Sequence, residues 1–152
     1  MTHVTDKQLG KTYPLFVDYR ISVEEALEFD PYGSVGSDIT SENFPTEQTG
    51  TVDIVVELIH FDCRISIDEA LDKFNSMGLR PVNLHGLLAF GGKYPGVQIE
   101  FPVVALGSVW QDRDGNRVAP TLEWVGLERC LELHLIGEED WHEVFRFAVV
   151  RN

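Results

Sequence analysis

The chain's capacity for nucleophilic or metal chemistry rests on five histidines and two cysteines. Three reactive side chains gather within His60-Phe61-Asp62-Cys63. On a strand, His60 and Asp62 share a face and Cys63 points to the other, so a Cys63–His60 nucleophile pair is poorly placed. A hydrogen-bonded strand end is the expected structure there. The chemical alternative is a small enzyme pocket around His60 and Asp62, completed by a residue from elsewhere. His134 and His142 flank the acidic turn Glu138-Glu139-Asp140. In a hairpin of the right register, both imidazoles and one carboxylate would converge on a metal such as zinc. Ordinary surface histidines are the expected reading, so no metal and no cofactor is assigned.

Other patterns are weaker. No histidine pair has HExxH spacing, and the cysteines make no CxxC. Gly91-Gly92-Lys93 lacks the phosphate-loop pattern and follows a helix instead of preceding one. Asp18 and Asp62 could act as a carboxylate pair, but each has an arginine two residues on, Arg20 and Arg64, which favours ion pairs. Trp110, Trp124 and Trp141 could line a groove, although aromatic residues in a sheet more often fill the core.

These residues sit in a chain of 152, the size of one ordinary domain, with 43% hydrophobic and 24% charged side chains. Twenty-five acidic against twelve basic residues give a formal charge of −13. Such a field repels phosphate backbones and anionic membrane surfaces and speaks against ordinary nucleic-acid binding. It suits solubility, or attraction to a basic partner protein. Cys63 and Cys130 are too few for a disulfide framework and are expected as free thiols. The N-terminal stretch MTHVTDKQLGK has no apolar core, and no apolar run approaches the ~18 residues needed to cross a bilayer. A cytoplasmic protein without a membrane segment is expected.

The elements that must position these side chains can be read in order. Tyr13–Arg20 reads as a strand, with Pro14 confining it to an edge or a strand end. Ser22 and Glu25 form a capping box for a first helix, and Ser66 and Glu69 form one for a second, ended by Gly78. Residues 30–50 are rich in Gly, Ser, Asp, Pro and Thr and predict a long exposed connection, pinned by Tyr32 and Phe44. Thr51–Phe61 alternates as a strand with Val52, Ile54, Val56 and Leu58 on one face and Asp53 and Glu57 on the other. Asn83 caps a third helix expected to stop at Gly91-Gly92. VVALGSVW, residues 103–110, predicts a strand buried on much of both faces. Asp114-Gly115 signals a hairpin, whose return strand Pro120 should interrupt or bend. The last third reads as an antiparallel meander, residues 103–151, closing with Trp141–Val150.

Two stretches are alike. VDYRISVEEALE from Val17 and FDCRISIDEALD from Phe61 repeat Asp, Arg-Ile, the cap and the helix stripe. A βα repeat over 13–29 and 57–77 would relate two strands and two helices by a pseudo-symmetry axis, as in ferredoxin-like folds. The fold expected is therefore one α+β domain over 1–152. It has a mainly antiparallel sheet, two or three short helices, βα units first and a meander last.

Arg80-Pro81, Leu84, Leu87-Leu88, Tyr94-Pro95, Gln98 and the run FPVVALGSVW at 101–110 resemble an uncharacterised family of small bacterial proteins common in candidate-phylum genomes. The likeness extends back to ELIHF at Glu57 and forward to RFAVV near the C-terminus. The resemblance implies no activity, since the family has none established, and no functional residue is carried over. The Arg-Pro with its short helix, the tryptophan strands and the arginine-flanked closing strand are also loosely similar to C-type-lectin-like domains. That similarity gives an alternative for the C-terminal half only.

The function expected from sequence is a non-enzymatic module that binds a protein, possessing an acidic surface suited to a basic partner, or that self-associates through an open sheet edge. Two alternatives stand beside it: the His60/Asp62 enzyme, and a DNA-mimicking inhibitor with acidic groups spaced like phosphates.

Overall fold

The computed structural model describes residues 11–62, 64–136 and 144–152. In chain order these form β1 (Thr12–Asp18), α1 (Val23–Phe29), β2 (Ser34–Val35), β3 (Thr51–His60), α2 (Ile67–Ser76), β4 (Leu79–Pro81), α3 (Leu84–Lys93) and α4 (Val97–Glu100). There follow β5 (Val103–Val104), β6 (Trp110–Gln111), β7 (Arg117–Val125), β8 (Glu128–Ile136) and β9 (Arg146–Arg151). Among the described residues nine strands join one sheet, seven of them in the order β1-β3-β9-β5-β7-β8-β2, with β4 paired to β9 and β6 to β7 off that path. Pairing is mostly antiparallel, and the α+β architecture with a strand meander near the C-terminus is as expected. Two pairs are parallel, β5 with β9 and β2 with β8, so the second half is not wholly antiparallel.

β9 lies centrally because its sequence is apolar on both faces. Ala148 and Val150 enter one core, and Phe147 and Val149 enter the other. The first core is covered by α3 and α1, through Leu84, Leu87, Phe90 and Val23. The second is covered by α2, through Ile67, Ala70 and Phe74, whose ring stacks on Phe61. β3 is likewise buried on both faces from Val56 to Ile59. Glu57, expected on a solvent face, is only 4% exposed, and Nε and Nη2 of Arg151 reach its two carboxylate oxygens at 2.8 and 3.0 Å.

Both capping boxes form as read, Ser22 with Glu25 and Ser66 with Glu69. The two helices nevertheless pack on opposite faces. Equivalent positions of the two like stretches, Leu15/Ile59 and Val17/Phe61, fall in different cores. A ferredoxin-like axis would set both helices on one face, and this sheet does not have that arrangement.

Four local readings are corrected. α3 does not stop at Gly91-Gly92 but runs to Lys93. A Cβ at Gly91 would stand 2.4 Å from the Tyr32 hydroxyl and 3.2 Å from Leu122, so this glycine serves close helix–sheet packing. The run 103–110 is not one strand: β5 and β6 are separated by a turn in which Ala105 and Leu106 are buried. The sheet forks here, with β4 continuing along β9 and β6 along β7. At the fork, Gly107 donates its N–H to the Val82 carbonyl at 2.8 Å, and a Cβ would come within 2.5 Å of that oxygen.

Pro120 does not interrupt β7. Its carbonyl accepts from Ala105 N–H at 3.1 Å on the β5 side, where the β5 ladder has just ended at Val104↔Thr121, so the absent N–H is tolerated. Residues 30–50 are also less free than their composition predicts. The N–H groups of Gly33 and Gly36 donate to the carbonyls of Arg129 and Leu131, β2 pairs with β8, and Ile39 and Phe44 are buried. The closing strand begins at Arg146, and the Trp141 end of that reading lies outside the described residues.

Candidate functional site

The residues singled out from sequence are placed apart. His60 ends β3, half-buried and opposite Arg146, and Asp62 is exposed just beyond it. Cys63 lies outside the described residues. Asp18 cannot pair with Asp62. It lies opposite Thr51, at the start of β3, whereas Asp62 follows the far end of that ten-residue strand, roughly 33 Å away at about 3.3 Å per residue. Arg20 instead donates to both Asp18 oxygens, at 2.9 and 3.0 Å, which holds that carboxyl below its ordinary value.

His134 is hydrogen-bonded to the Glu123 carboxylate and meets the Phe145 ring edge-on. His142 lies outside the described residues. Among the described residues, no three side chains of histidine, cysteine, aspartate or glutamate gather as a metal group. Cys130 is buried, and burial pushes its thiol up, the nearby carboxylates Glu132, Glu128 and Glu123 adding to the effect. Such a thiol is a poor nucleophile. Trp110 packs near Phe44, while Trp124 stands partly exposed at the β7–β8 turn, so the two do not line a common groove.

A site does form elsewhere, on residues that, Asp18 apart, the sequence did not single out. Between β1, α1 and α3 lies a hollow of about 370 Å³, walled by Phe16, Val17, Asp18, Ile21, Ala26, Phe29, His85, Leu88 and Ala89. Phe29, on α1, borders it with a large aromatic side chain 79% exposed to solvent. Phe16 alternates with the core-facing Leu15 and Val17 and so borders it with its backbone, its side chain turned to the other face of the sheet. His85 is the histidine in this wall. It is half-buried, tied to the Ile21 backbone, and 5.2 Å from the Tyr19 ring. Burial pushes its pKa below the ordinary 6.5, so the imidazole is neutral near pH 7.

The walls are held by polar ties. At the β1 end, Tyr19 and Asn83 exchange hydrogen bonds at 3.0 and 3.3 Å, while Asn83 Oδ1 accepts the Gly86 N–H that starts α3. Ser108 Oγ accepts the Leu84 N–H at 2.7 Å. At the other end, Arg129 on β8 donates to both oxygens of Asp30, the residue capping α1, and to the Gly91 carbonyl within α3. Its guanidinium also lies 4.3 Å from the centre of the Tyr32 ring. Arg129 therefore fixes the spacing of α1 from α3 and with it the width of the hollow.

The hollow opens along the outer edge of the sheet. β1 pairs with β3 and with no other strand among the described residues. Tyr19 N–H donates inward to Gly50, so by strand periodicity the odd residues of β1 bond to β3 and the even ones face outward. Pro14 agrees: its outward carbonyl accepts from Lys93 Nζ at 2.9 Å and from the Tyr94 hydroxyl at 2.7 Å. Phe16, two residues on, turns its N–H and C=O outward directly above the hollow.

One signal for this site was present in the sequence. His85, Leu88 and Ala89 stand at i, i+3 and i+4 and share one face of a capped helix. No family model, no curated protein and no solved structure matches the chain. Among the described residues, no helix is long and apolar enough to cross a membrane.

Proposed function

We propose that this protein is a binding module and that it engages a protein partner by receiving an apolar side chain in the hollow between β1, α1 and α3. The observation that carries this reading is the pairing of a preformed apolar cavity with an exposed phenylalanine, Phe29, at its mouth. Exposed aromatic residues beside a concave apolar site are the usual composition of an interaction hot spot. The neutral His85 supports it, because an apolar group can enter without desolvating an imidazolium. The overall charge of −13 favours a basic partner and would accelerate its approach.

The test is crosslinking in the source cells, with a photoreactive residue in place of Phe29. A single partner should be trapped, and Ala89→Trp, which fills the hollow from α3, should abolish the trapping. A photoreactive residue at Asp68, on α2 across the sheet, should trap nothing. Equal trapping from both faces, or trapping indifferent to Ala89→Trp, would refute the reading.

A further inference from the structure

The edge of β1 and the hollow beneath it form one composite site. Phe16 presents a main-chain donor and acceptor that have no hydrogen-bond partner among the described residues. A strand laid against this edge would run about 4.8 Å outside β1 and turn alternate side chains toward α1 and α3, where the hollow lies. We infer that the partner binds as an added β-strand: an extended segment that pairs with Phe16 and drops one apolar side chain into the hollow, against Leu88 and Ala89. This rests on the hollow being the binding site. It adds the backbone conformation and chemistry of what enters.

Two observations define the segment further. The edge is closed at one end, because Pro14 offers no N–H and its carbonyl is already occupied by Lys93 and Tyr94. A second copy of the chain pairing β1 against β1 would meet that blocked end and the repulsion of two chains each carrying −13. At the other end, where the Asp18 carbonyl accepts the Ile21 N–H at 3.3 Å and the Asp18 carboxylate is neutralised by Arg20, stands α1, with Glu24 and Glu25 in its first turn and no basic residue in its last. A segment with a lysine or arginine beside its apolar anchor complements that end. The occupant is thus a short extended peptide of a partner protein, apolar at one position and basic next to it.

The experiment is a binding screen of the full chain against acetylated, amidated eight-residue peptides. These are rich in β-branched residues and vary at a central apolar position and a flanking lysine. Peptides with a central Leu, Ile or Phe and the lysine should bind saturably. N-methylation of the peptide nitrogen facing Phe16 should weaken binding at least about tenfold. Phe16→Pro, which removes the outward N–H from an edge strand, should do the same, as should Ala89→Trp.

Failure to bind any such peptide more tightly than about 1 mM would overturn the proposal. So would binding that is unchanged by N-methylation and by Phe16→Pro yet lost in Ala89→Trp, which leaves the hollow a binding site without strand addition. Binding that is indifferent to Ala89→Trp but sensitive to N-methylation would instead remove the hollow and the reading built on it. A concentration-dependent dimer dispersed by Phe16→Pro would assign the edge to a second copy and overturn the proposal.

Discussion

Arg129 ties several elements together through one side chain. It meets Asp30, the Gly91 carbonyl, Gln98 and the Tyr32 ring, and so joins β8 to α1 and α3 at once. Replacing it with methionine keeps the bulk but leaves a carbonyl and a carboxylate without their donor. Arg129→Met should cost about 2 kcal/mol in urea denaturation, with the discount appropriate to the partly exposed Asp30. His85 gives a second prediction, in pH. Its folded-state pKa lies below 6.5 because burial disfavours the imidazolium. As pH falls through 6.5 the unfolded chain takes up a proton that the folded chain resists, so this contribution to stability is full above 6.5 and declines below it. The stability difference between the native chain and His85→Gln should therefore shrink as pH is lowered from neutrality. A difference that grows on acidification would mean the imidazole is stabilised in its charged form.

At the scale of elements, what was legible in the sequence were features set by neighbours in the chain. The two capping boxes, the Asn83 cap, the Gly78 turn with its positive φ and the Asp114-Gly115 hairpin all follow from local stereochemistry, and all form. The misread features were decided by distant contacts. Gly91 looks like a helix stop until Tyr32 and Leu122 are packed against it, and Gly107 looks like part of a strand until it crosses Val82. Residues 30–50 read as loop because backbone bonds to β8 leave no trace in composition. The site escaped for the same reason: its walls come from β1, α1 and α3, and its chemistry is shape and exposure, with no motif. Gly91→Ala tests the packing account. Despite the better helix propensity of alanine, it should destabilise the fold by about 1–3 kcal/mol by chemical denaturation, because the new methyl meets Tyr32 and Leu122. A stabilising substitution would return Gly91 to the role of a helix weakener.

At the scale of the molecule, the sheet is covered unevenly. α2 shields one face around β9, α3 and α1 shield the other, and β1 stands at the margin, with one end of its edge covered by the C-terminus of α3. The opposite margin is β2, only two residues long, as suits an edge not meant for pairing. This asymmetry leaves the Phe16 edge as a place where an extended segment can join the sheet, with an apolar hollow beneath it and an acidic helix beside it. The most direct test is backbone amide exchange along β1 in the free protein. Leu15 and Val17, bonded inward to β3, should be protected, while Phe16 between them should exchange at least about a hundredfold faster. Comparable protection at all three amides would mean that the edge is already covered, and would contradict a site open at Phe16.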